Sequence, residues 1–91
     1  MSFIRINDLV FEFDRMNQSV HTVLSKFVER FSGNCPEELL PIHAKISERL
    51  RVCEAIQNNG QVGLPVVSEL FSQMKTLEKD CLELDSLMDL L

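Results

Sequence analysis

The side chains that could carry chemistry are three cysteines and two histidines, namely Cys35, Cys53, Cys81, His21 and His43. Cys35 and His43 have the types of a thiol nucleophile and its general base, but no oxyanion-binding motif or positioned acid accompanies them. Zinc ligands in proteins usually come in pairs at spacings such as C-x₂₋₄-C, and every candidate ligand here stands alone. We therefore expect that the chain is not an enzyme and has neither a metal site nor a cofactor.

The charged side chains exclude another class of function. The chain carries a net charge of −5, whereas a nucleic-acid binder would cluster Lys and Arg on one face, so no direct nucleic-acid binding is expected. Most of the net negative charge lies on residues 64–91, where a charged partner would be basic. The acids of that segment, including Asp80 and Glu83, are expected on a solvent-exposed helical face, with Lys79 pairing with Glu83 four residues later.

The longest apolar pattern in the chain runs from Pro65 to Leu91 and alternates by three and four residues. Such a heptad pattern is the seam of a packed helix. A helix over 65–91 would be about 40 Å long and would need a partner helix of similar length. The seam consists of Val67, Leu70, Met74, Leu77, Cys81, Leu84, Met88 and Leu91.

Two further helices are predicted before this segment. Apolar residues at heptad spacing predict a first helix over about 8–32, which Gly33 would end as a left-handed C′ residue. A second helix over 36–58 would begin at Pro36 and stop at Asn59-Gly60. Pro41 interrupts it, because proline lacks an N–H and crowds the preceding turn, so the helix is either kinked or split there. The first stripe consists of Ile6, Leu9, Phe13, Met16, Val20, Val23 and Phe27.

These elements predict one all-α domain over residues 1–91. Short loops favour antiparallel neighbours, so we expect an up-down-up three-helix bundle or an extended helical hairpin with coiled-coil character. Because the second helix is shortest and interrupted, the seam from Leu84 to Leu91 should stay open to a partner. Asp85 and Asp89 oppose the helix dipole at that end, so packing or a partner must hold it.

The function predicted from these features is a non-enzymatic protein–protein interaction module. We expect a small helical subunit, scaffold or adaptor of a multi-protein complex, which forms homo- or hetero-oligomers through helices 1 and 3. An alternative is a chaperone-like or regulatory binder of one partner. The predicted interface consists of Phe13, Val20, Val23, Phe27, Val67, Leu70, Met74, Leu77, Leu84, Leu87, Met88, Leu90 and Leu91.

The last five residues, from Leu87 to Leu91, offer a third interpretation. They read L-x-x-L-L and resemble the short helical motif by which coactivators dock in a groove of nuclear receptors, which implies a transcription co-regulator. An odd number of cysteines without a CxxC pair fits a reducing compartment. With no apolar leader and no run of 18 apolar residues, we expect a protein of the cytoplasm or nucleus without a membrane span.

Overall fold

The computed structural model of the chain describes residues 6–60 and 63–91. Three α-helices, α1 (Ile6–Phe31), α2 (Leu40–Asn58) and α3 (Leu64–Asp89), make up nearly all of this part, and a 3₁₀ turn at Glu37–Leu39 precedes α2. No strand occurs among the described residues. The predicted all-α three-helix bundle is confirmed.

α1 and α3 lie side by side and run parallel. Near the start of α1, the Phe13 ring meets the Phe71 ring edge-on, with ring centroids 5.5 Å apart. Near its end, Arg30 Nη1 donates a 2.6 Å hydrogen bond to the carbonyl oxygen of Met88. Because the start of α1 contacts the start of α3 and the two ends also meet, the helices are parallel.

α2 runs antiparallel to α3. Lys45, in the first half of α2, lies 3.7 Å from the carboxylate of Asp80. One turn later, Arg49 donates a 2.7 Å hydrogen bond to the side chain of Gln73. The order of directions is therefore up-down-up, as the short connections predict, and the alternative of an extended hairpin does not occur.

α3 is the central helix, because both other helices pack against it. No Cα atom of α1 lies within 8 Å of one in α2. These two helices meet through side chains, as where the Phe27 and His43 rings lie with centroids 5.1 Å apart. The heptad seam of α3 thus finds its partner helices within the same chain. Its fully or nearly buried residues are Met74, Leu77, Cys81, Leu84 and Met88.

The helix ends follow the predicted turn residues closely. Gly33 and Gly60 adopt left-handed backbone angles after α1 and α2, and Ser32 shares the left-handed conformation with φ of 49°. Pro41 lies in the first turn of α2, where its missing N–H would have no partner in any case. The chain before it forms the separate turn Glu37–Leu39, so the proline splits the predicted helix. Nowhere in the described ranges is a helix long and apolar enough to cross a bilayer.

Candidate interaction surface

Most residues of the predicted interface lie in the core of the chain itself. Seven are buried, and Phe13, Leu70 and Leu87 are partly buried against them. Val67 is partly exposed and Leu90 and Leu91 are exposed. The fold brings the first ten together around α3, and their use with another chain stays a prediction. The seven buried residues are Val20, Val23, Phe27, Met74, Leu77, Leu84 and Met88.

The C-terminal part of the seam is more closed than the sequence predicts. Leu84 and Met88 are both 0% exposed, so the expectation of an open seam from Leu84 onward is wrong for these two residues. The reason is that α1 and α3 are parallel and equally long, at 26 residues each. The last turns of α1 therefore cover the end of α3 from one side, while the start of α2 and the turn before it lie on the other.

The acids at the C-terminal end of α3 are neutralised by α1. Lys26 Nζ lies 2.7 Å from Asp85 Oδ1 and 3.5 Å from Asp89 Oδ1. The hydrogen bond that Lys26 donates to Asp85, together with the charges of both carboxylates, raises the pKa of Lys26. Arg30 binds the carbonyl oxygen of Met88, where a cation also complements the helix dipole. The chain itself thus holds the end at which negative charge opposes that dipole.

Two further acids of α3 have partners on the neighbouring helices. Glu78 accepts hydrogen bonds of 2.8 and 3.0 Å from Arg15 of α1. Asp80 faces Lys45 and is only 4% exposed, so its expected place on the solvent face is wrong. Four of the six acids of residues 64–91 are therefore ion-paired within the chain. The predicted Lys79–Glu83 pair does not form, and Glu83 has no ion pair among the described residues.

A shallow cleft opens where the start of α2 meets the last turns of α3. It measures about 340 Å³. Its two acids, Glu38 and Glu83, come from different elements and make no ion pair within the described part of the chain. Its single base, Lys45, is engaged with Asp80. The cleft is lined by Glu38, Pro41, Ile42, Lys45, Glu83 and Leu87.

Exposed leucines continue from this cleft to the end of the chain. Leu90 is 81% exposed and Leu91 is 53% exposed, three and four residues after Leu87. Leu87 itself packs against the core and α3 ends at Asp89. In the folded bundle the L-x-x-L-L segment therefore exposes Leu90 and Leu91, whereas Leu87 is only partly accessible through the cleft. The role of this segment in a transcription co-regulator stays a prediction.

A second group of exposed apolar residues lies at the opposite end of the bundle. Phe11 is 71% exposed, Val10 is 53% exposed, and Leu64 at the start of α3 is 77% exposed. Because α1 and α3 are parallel, the starts of both helices share this end. The bundle thus carries uncovered apolar side chains at both ends.

Two of the three cysteines, Cys53 and Cys81, are buried, and Cys35 is partly exposed. Burial raises the pKa of the Cys81 thiol to about 11 and raises that of Cys53, which disfavours the reactive thiolate. Cys35 lies in the turn before α2, where its thiol contacts the carbonyl oxygen of Pro36. No three His, Cys, Asp or Glu residues of the described ranges are grouped so as to hold a metal ion.

Sequence reasoning missed one side of the cleft. Leu87 belongs to the predicted interface and to the L-x-x-L-L segment, whereas the sequence indicates Pro41 only as a break in the second helix and Glu38 only as an acid of its first turn. Neither residue type gives information about contact with α3. Glu38 and Glu83 lie 45 positions apart in the chain, so only the antiparallel packing of α2 on α3 brings them to one cleft.

Comparison of the chain with protein-family models, curated proteins and solved structures finds no match. Function is therefore inferred from the surface of the bundle alone. Two features of this surface take no part in the packing of the bundle. They are the exposed apolar side chains at both ends and the acidic cleft between α2 and α3.

Proposed function

We propose that this chain is a non-enzymatic interaction module, a small helical subunit or adaptor that binds other protein chains through its apolar ends. The observation that carries the proposal is the exposure of large apolar side chains outside a closed core. Leu90 is 81% and Phe11 is 71% exposed, and they lie at opposite ends. Burying one such side chain fully yields about 1.5–3 kcal/mol, which gives each end a driving force for association.

The shape of the bundle supports an adaptor rather than a one-sided binder. It is 44 Å long and 25 by 19 Å across. A partner at one end therefore leaves the other end accessible. The apolar groups also remain although every helix has already found neighbours within the chain, so they are not needed to close its core. A second protein, or a second copy, is the kind of molecule that covers such groups.

The test compares two paired variants with a matched control. The variant Leu90→Ser with Leu91→Ser removes the exposed apolar side chains of one end. The variant Phe11→Ser with Leu64→Ser removes those of the other end. Leu82→Ser is the control, because Leu82 is a 51% exposed leucine that lies about two turns before the end of α3. Circular dichroism checks that each variant keeps its helices.

Sedimentation velocity between about 1 and 200 µM measures self-association, and quantitative cross-linking in cells of the source measures binding to other proteins. We expect at least one end variant to lose roughly tenfold or more in association, since each leucine carries more than 1.4 kcal/mol when buried, while Leu82→Ser behaves as the wild type. A monomer at every concentration, with the same cross-linked proteins for all variants, would refute the proposal. One partner at a 1:1 ratio would favour its regulatory-binder form.

A further inference from the structure

We propose that the cleft between the start of α2 and the end of α3 binds a basic amphipathic helix of a partner protein. This inference rests on the proposed function and names the partner's chemistry at one of the two ends. The cleft combines two features that recognise such a helix. One is unmatched negative charge, and the other is an uncovered apolar surface that continues beyond the cleft.

The negative charge of the cleft is not used by the fold. Glu38 and Glu83 have no ion pair among the described residues, whereas the neighbouring acids Asp85 and Asp89 are bound by Lys26. The only base in the cleft, Lys45, lies 3.7 Å from the buried Asp80 and so offers little to an outside carboxylate. Electrostatic complementarity at an interface then favours a cationic partner.

The apolar part of the cleft lies between these acids and continues along α3. Pro41 and Leu87 contribute apolar surface inside the cleft. Leu90, one turn beyond Leu87, is 81% exposed. A helix that lays an apolar stripe into a groove uses anchors spaced by one turn. Its Leu-type side chains would contact Leu87 and Leu90, and Lys or Arg on its flanks would reach Glu38 and Glu83.

Three other clefts in the described part of the chain lack this combination. The cleft beside Val28 contains a single charged residue, Glu29. The cleft beside Phe11 contains one acid and one base, Asp14 and Arg15. The cleft between α1 and α2 has Glu54 as its single charged residue. None of the three offers two unpaired acids beside an exposed leucine.

The probe is a fluorescein-labelled peptide of 18 residues with leucine at heptad a and d positions and lysine elsewhere. A second peptide with glutamate in place of lysine is the charge control. Fluorescence anisotropy at about 0.15 M salt measures the Kd of each peptide for the wild type. We expect binding of the lysine peptide and none of the glutamate peptide.

The variant Glu38→Gln with Glu83→Gln tests the location. Its matched control, Glu29→Gln with Glu54→Gln, removes the same charge from exposed positions outside the cleft. We expect the cleft variant to weaken the Kd by about 2- to 5-fold for each charge removed, the range of exposed ion pairs, and the control by less than 2-fold. The variant Leu90→Ser should weaken binding with the charges unchanged.

Three results would overturn the inference. If both glutamine pairs weaken binding of the lysine peptide equally, the peptide is attracted by the net charge of the chain and not by the cleft. If the wild type does not bind the lysine peptide, a basic amphipathic helix is excluded as the partner. Neither of these two results affects the proposed function, which fails only if substitutions of the exposed leucines and Phe11 leave association unchanged. If both Leu90→Ser and the two glutamine pairs leave peptide binding intact, the peptide binds elsewhere and the cleft is excluded.

Discussion

The buried carboxylate of Asp80 provides a sharp test of how α2 packs on α3. Asp80 is 4% exposed, and its Oδ2 atom has no hydrogen-bond partner in the described structure. Among the described residues its ion-pair partner is Lys45, at 3.7 Å, whose own side chain is 56% exposed. Asp80 is thus buried and Lys45 is solvated. Removing the charge of Asp80 should therefore change stability differently from removing the charge of Lys45.

The size of each effect follows from this geometry. Two unit charges 3.7 Å apart attract by about 1 kcal/mol in water and by about 4–5 kcal/mol at an effective dielectric constant of 20. Because Lys45 is half-exposed, we expect Lys45→Met to destabilise by about 1–2 kcal/mol, since it leaves a buried carboxylate unpaired. Asp80→Asn loses the same attraction but also removes a desolvation penalty of several kcal/mol. It should therefore leave stability unchanged or raise it by about 1 kcal/mol.

Urea unfolding at pH 7 of the wild type, both single variants and the double variant measures these free energies. In the Asp80→Asn background, Lys45→Met should cost less than about 0.5 kcal/mol. Lys79→Met is the control, because Lys79 is exposed and makes no ion pair among the described residues, and it should stay within about 0.5 kcal/mol. A loss of more than about 2 kcal/mol in Asp80→Asn would refute the reasoning. It would show that the favourable interactions of the carboxylate outweigh the cost of burying it.

Three further predictions concern the turns and the thiols. Gly33→Ala should lower the free energy of unfolding in urea by about 1 kcal/mol, because a side chain is disfavoured at a φ of +86° even with open space around it. Gly63→Ala, at an extended position, should not, and equal effects would contradict this. Burial raises the pKa of the Cys81 thiol from 9 to about 11 in the folded chain. As the pH rises, the unfolded chain therefore loses this proton first, which favours unfolding. The free energy of unfolding should be unaffected below about pH 9 and fall by at most about 2–3 kcal/mol between pH 9 and pH 11. Cys81→Ala should flatten that fall, and parallel curves would exclude it. A thiol reagent should label partly exposed Cys35 in the folded chain faster than buried Cys53 and Cys81, and equal rates by mass spectrometry would contradict the packing.

The helices could be predicted because their boundaries depend on near neighbours in the chain. Gly33 and Gly60 follow α1 and α2 in left-handed conformations, as their residue type indicates. α3 extends over Leu64–Asp89 against the predicted 65–91. At Pro41 the same local rules permitted a kink or a split, since proline fits the first turn of a new helix as well as it disturbs an old one.

The candidate site was predicted only in part. The C-terminal leucines and the acidity of α3 were visible in the sequence. The sequence does not reveal which acids stay unpaired, because their partners lie on other helices. Lys26 and Arg30 occupy the last turns of α1, and only the parallel packing places them against the end of α3.

By itself the sequence determined three amphipathic helices and the residues that end them, because propensity and periodicity act within a few residues. The tertiary structure alone decided which helix lies in the centre. A central helix packs against two neighbours, so it buries a wider arc than one apolar stripe. For that reason Asp80 is buried beside Cys81 although the heptad pattern places it outside. The sequence pattern fixes the apolar face of each helix, whereas the relative rotation and offset of the helices decide which charges remain for a partner.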